Sequence, residues 1–76
     1  MFDKKEEKDY LAIADRRIHD SEEKIQVLME QIDEMRVKGA DTQEVLALLA
    51  TADEVLITLK TFRSQVLERL KAGGNP

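Results

Sequence analysis

Apolar residues in the first half of the chain recur at alternating intervals of three and four. Leu11, Ala14, Ile18, Ile25, Leu28, Ile32 and Met35 keep that spacing, and Ser21 stands at the one position where an apolar residue is missing. At about 3.6 residues per turn, such spacing returns each side chain to one stripe of an α-helix. In heptad terms Leu11, Ile18, Ile25 and Ile32 take position a, and Ala14, Ser21, Leu28 and Met35 take position d. Away from the stripe the residues are charged: Asp15, Arg16, Asp20, Glu22, Glu23, Glu30, Asp33 and Glu34. A narrow apolar stripe on a charged helix predicts packing along a single seam.

The second half carries a broader apolar face. Val45, Leu49, Ala52, Leu56, Leu59, Val66 and Leu70 form a matching seam, and Leu48, Val55 and Phe62 form a second line directly beside it. Leu46, Ile57 and Leu67 lie further round. One neighbouring helix covers one seam, so the extra line predicts an association surface. Leu48, Val55, Phe62, Leu59 and Val66 are its candidate interface residues.

Between the halves, Gly39-Ala40-Asp41-Thr42 is the one strong break in the pattern. Glycine reaches the positive φ that ends a helix without a Cβ penalty. Asp41 is placed to accept from the backbone at N3, with Glu44 reaching back as the second half of a capping box, and Ala40 packing on Val45 as a staple; Thr42 is the competing cap. A connection this short makes the two helices run antiparallel. The expected fold is all-α: an antiparallel two-helix hairpin, with helices over about 4–38 and 42–71, paired with a second hairpin into a dimeric four-helix bundle. Residues 1–9 read as a charged N-terminal segment, either frayed as far as Asp9 or helical from a capping box of Asp3 and Glu6. Residues 10–71 are the hairpin, and 72–76, Ala-Gly-Gly-Asn-Pro, read as a flexible tail.

Composition narrows the function classes. With 76 residues, only one small domain with a thin core is expected. There is no cysteine and a single histidine, which leaves no disulfide, no thiolate nucleophile and no zinc cage. The net charge of −4 works against a nucleic-acid backbone or an anionic membrane as partner. The N-terminus is charged where a signal peptide needs an apolar core, and no apolar run is long enough to span a bilayer, so a cytoplasmic location is expected.

Two polar residues interrupt the seams. Arg63 falls between Leu56 and Leu70, and with the turn near residue 40 it lies near Ile18, within reach of Asp15, Ser21 or Glu22. Ser21 and Arg63 are therefore candidate polar seam residues, with Arg63 either in a polar pair that fixes register, simply snorkelling, or forming an anion site. The carboxylates do not show the Glu-x-x-His spacing of di-iron bundles and fall on the outer face of the helix, so no catalytic, cofactor or metal site is expected. Arg16, Arg17 and Lys24, with Lys60 and Arg63, form a candidate basic strip, without the aromatic interleaving of a nucleic-acid surface.

The segment Arg17-Ile18-His19-Asp20-Ser21 resembles the phosphoacceptor stretch of histidine-kinase dimerisation domains, which are helical hairpins paired into four-helix bundles. That resemblance implies a phosphotransfer role for His19, although Glu22, Glu23 and Lys24 do not continue the pattern; otherwise His19 is an ordinary exposed histidine. More broadly, Leu11-Ala12-Ile13-Ala14-Asp15-Arg16-Arg17-Ile18, Gly39-Ala40-Asp41-Thr42 and Leu48-Leu49 resemble a group of short bacterial proteins of uncharacterised function. In that group a Leu-x-x-Ala-Asp-Arg-x-Ile segment precedes a Gly-x-Asp-Thr turn. The resemblance spans residues 11–70 and implies a two-helix protein with no transferable chemistry; a histidine often stands in the group where this chain has Arg17. The sequence thus favours a small non-enzymatic helical protein that self-associates as an interaction or adaptor module, as a homodimer or with an unidentified protein partner. A phosphotransfer or kinase-like dimerisation module using His19, and a nucleic-acid-associated protein, are the alternatives.

Overall fold

The structure is a computed structural model that describes residues 4–73, with side-chain surroundings for residues 8–72. The described residues form two helices, α1 over Lys4–Lys38 and α2 over Gln43–Gly73, packed against each other along their length. The chain is all-α and folds as a helical hairpin. α1 is continuous through the charged N-terminal segment from Lys4. The Asp3–Glu6 capping box expected there lies outside the described residues. α2 continues through Ala72 and Gly73, two residues into the segment read as a tail, and Gly74–Pro76 lie outside the description.

The turn is built by backbone chemistry that the sequence announces. Gly39 sits at φ 73°. Its N–H donates to the Arg36 carbonyl at 3.1 Å, and the Ala40 N–H donates to the Met35 carbonyl at 2.8 Å. These two bonds are the pair that defines a Schellman motif, in which residues past the helix end satisfy carbonyls left without helical partners. On the other side, the Asp41 carboxylate accepts from the Gln43 N–H at 3.0 Å, while the Thr42 carbonyl accepts the first helical bond, from the Leu46 N–H, at 2.9 Å. The capping work is divided. Asp41 supplies the side-chain acceptor at the second residue after it, not the N3 position expected of a capping box, and Thr42 holds the backbone position of the cap.

Both seams close as the periodicity requires. Ala14, Leu28, Ile32, Ala52 and Val66 are buried, and Leu11, Ile18, Ile25, Met35, Val45, Leu49, Leu56, Leu59 and Leu70 are partly covered. Two of the buried side chains are alanines, so the core is thin. Helices of 35 and 31 residues account for the elongated shape, with extents of 61 × 14 × 14 Å.

Candidate interaction face

Helical rotation divides each helix outside the seam into two flanks. One flank of α2 carries Leu48, Thr51, Val55, Thr58 and Phe62, at successive steps of three and four residues. Leu48, Val55 and Phe62 remain 57%, 48% and 40% exposed after the hairpin has formed. The neighbouring flank of α1 holds Tyr10, Ile13 and Val27, also exposed, with Arg17, Asp20 and Lys24 between them. Apolar surface is thus left on matching flanks of both helices, on one side of the hairpin.

A groove crosses the middle of this side. Ser21 and Lys24 of α1 and Leu48, Thr51, Ala52 and Val55 of α2 enclose a depression of about 120 Å³. It continues into a more open region bounded by Arg17, Asp20 and Leu59. Its lining includes Ser21 and Ala52, short side chains that fill less of the seam than the Leu and Ile at neighbouring seam positions. The groove is mainly apolar on its α2 side, while Arg17 and Lys24 form its outer rim on α1.

The two threonines on the exposed stripe are internally satisfied. Thr51 Oγ1 donates to the Ala47 carbonyl at 3.2 Å, and Thr58 Oγ1 donates to the Glu54 carbonyl at 3.0 Å. Their polar atoms are engaged by α2 itself, which reduces the cost of covering this stripe.

The structure places the remaining singled-out residues elsewhere. Arg63 Nε donates to Asp15 Oδ1 at 2.5 Å, with the two side chains 40% and 55% exposed, so the arginine packs its stem in the seam and pairs at the surface. Ser21 lines the groove with Ala52 and Val55, while Arg63 pairs with Asp15, nearly two helical turns from Ser21 along α1, so these two polar interruptions do not meet. Asp15 lies on the opposite flank of α1 from Arg17 and Lys24, which splits the candidate basic strip between two sides. Val66, grouped from sequence with the association surface, is only 1% exposed and belongs to the intramolecular seam. Leu59 is half-buried and borders the groove. His19 is exposed on a flank away from the groove, its Nε2 3.0 Å from Glu23 Oε1 one helical turn along.

Among the described residues, no group of three or more His, Asp or Glu side chains is arranged to hold a metal ion, and no helix is long and apolar enough to cross a membrane. The features that sequence reasoning missed are the groove and the α1 residues Tyr10, Ile13 and Val27. Their signal was present in the spacing, because each lies on the flank that rotates toward the Leu48 line once the hairpin closes. No protein-family model matches the chain, and no curated protein or solved structure is similar to it at a significant level.

Proposed function

We propose that this protein is a non-enzymatic helical interaction module that self-associates, two hairpins forming a four-helix bundle through the exposed Leu48, Val55 and Phe62 line. The observation that carries this reading is the surface left over after folding. The hairpin has an accessible surface of 6155 Å². A folded monomer of 8.7 kDa is expected to expose about 4,700 Å². The excess of about 1,400 Å² comes with the elongated shape and leaves room for the roughly 800 Å² that each partner buries in a standard stable interface. Placing a second hairpin on the Leu48 side removes apolar area from water where most of the uncovered large side chains lie, at about 25 cal/mol per Å² before association costs.

The shape supports wound or bent rather than straight helices. Two straight helices side by side have a Cα section of about 14 by 5 Å, from a helix radius of about 2.3 Å and an axis separation near 9 Å. Equal widths of 14 Å in both directions are compatible with a pair wound around itself, as in a coiled coil, and equally with bent helices.

Sedimentation equilibrium across nanomolar to micromolar concentrations tests the reading. The expected result is a mass of twice 8.7 kDa that falls on dilution. A folded species that stays monomeric through the micromolar range refutes it. Two further assays separate the alternative functions: incubation with a phosphodonor, where labelling lost in His19→Ala supports phosphotransfer, and nucleic-acid binding with a salt titration, where phosphate contacts predict a steep loss of affinity.

A further inference from the structure

We infer that the second copy docks antiparallel on the first, α2 against α2 about a two-fold axis at Val55, with Phe62 of each copy seated in the Ser21–Ala52 groove of the other. This rests on the self-association reading and adds the geometry by which it is achieved.

The stripe on α2 is self-complementary in spacing. Leu48 lies seven residues before Val55 and Phe62 seven after it, with Thr51 and Thr58 between. An isologous interface requires each residue to meet its mate through the symmetry axis. With the axis at Val55 and the helices opposed, Val55 meets Val55 and Leu48 meets Phe62 of the second copy, twice over. No charged residue falls on the stripe from Leu48 to Phe62, and the hydroxyls of Thr51 and Thr58 are already bonded to α2 carbonyls, so bringing the two α2 stripes together strands no charge of α2 and neither hydroxyl.

The groove selects the antiparallel arrangement over the parallel one. It lies at the level of Leu48 to Val55, enclosed by Ser21, Lys24, Leu48, Thr51, Ala52 and Val55. In the antiparallel pairing, that level receives Phe62, the largest exposed side chain of the stripe. In the parallel pairing it receives Leu48 and Val55 again, and the two Phe62 rings meet each other away from either groove. Charge agrees with the choice. Asp41 just precedes α2, Glu44 lies in its first turn and Lys71 in its last, so opposed helices bring acidic starts toward basic ends, whereas parallel ones align like with like. Opposed helix dipoles add to the same preference.

The absence of native cysteine makes the test direct, since an introduced thiol has no competitor. Val55→Cys is expected to give a disulfide-linked dimer on mild oxidation, because a residue on the axis lies beside its own mate. A mixture of Leu48→Cys chains and Phe62→Cys chains is expected to link mainly as the mixed pair with a short bismaleimide. Ile57→Cys, on the other flank, is expected to remain unlinked under both conditions. Far-ultraviolet circular dichroism of each variant establishes that the helices are intact, and sedimentation shows whether the chain self-associates. Preferential linking of Phe62→Cys to itself and of Leu48→Cys to itself, in a dimer, overturns the antiparallel geometry. Linking through Ile57→Cys instead, in a dimer, overturns the choice of face. A folded monomer in every variant and in the native chain overturns the self-association reading itself, a result distinct from the other two.

Discussion

Gly39 is the residue on which the hairpin most directly depends, and its role is conformational. A Cβ added there meets no heavy atom within 4 Å, so the cost of replacing it comes from φ 73° and not from crowding. Gly39→Ala is expected to lower stability by about 1–2 kcal/mol, the cost of the left-handed conformation for an L-residue, and Gly39→Asn by less. A urea melt of the three proteins checks this: equal midpoints would show that the turn does not need this backbone geometry. Arg63 behaves differently. Its pair with Asp15 is half-exposed, and solvent screening limits what it contributes, so Asp15→Asn is expected to cost less than about 1 kcal/mol. Arg63→Met retains the stem packing without the charge and is expected to be neutral or stabilising in a thermal melt. A double-mutant cycle on the two positions measures their coupling, and a value well above about 1 kcal/mol would mean that the pair is far better ordered than its exposure implies.

At the scale of the element, α1 and α2 are unequal partners. α1 is a charged helix with one narrow stripe, and its burial ends with the seam. α2 has a seam and a second, uncharged stripe, so the hairpin leaves a continuous apolar stripe on α2, whereas Tyr10, Ile13 and Val27 of α1 are exposed among charged residues. Ser21 joins the two halves of that imbalance, because the space it leaves in the seam opens toward the stripe. Ser21→Leu is expected to fill the groove and to stabilise the isolated hairpin by about 1–2 kcal/mol through added apolar burial. The same change removes the proposed seat for Phe62, so dimer dissociation should strengthen as hairpin stability rises. Measuring melting and sedimentation together tests this, since a variant that gains stability and dimerises unchanged would separate the groove from association. The seams themselves were legible in the sequence because burial follows helical period, as Leu28 and Ile32 on α1 and Ala52 and Val66 on α2 show. The groove was not, because which side chains of the two helices come to line one depression depends on register.

For the whole molecule, stability and assembly are expected to be coupled. A hairpin whose buried residues include two alanines, and whose surface exceeds that of a typical monomer of its mass, gains from a partner that binds only the folded state. The melting temperature should therefore rise with protein concentration. Val55→Lys, which places a charge on the proposed axis beside its own mate, should flatten that dependence while leaving the helices formed. A native melting temperature that does not change over a hundredfold concentration range would mean that the hairpin is stable alone. The unequal flanks also bear on how a further partner would be recognised: with the Leu48 side covered, Met29, Val37, Leu46 and Ile57 remain as exposed large apolar residues.

The amino-acid sequence by itself determined the two helices, the break at Gly39–Thr42, both seams and the exposure of Leu48, Val55 and Phe62. These follow from local rules: helical period sets which residues share a face, and a positive φ at glycine sets where a helix stops. Tertiary structure decided which residues lie level across the seam. Register is the sum of many weak contacts along two long helices joined by a short turn, and no single residue announces it. That sum gave Arg63 to Asp15 and not to Ser21, drew Val66 fully inside the hairpin, and brought Ser21 and Ala52 to the lining of one groove beside the uncovered stripe.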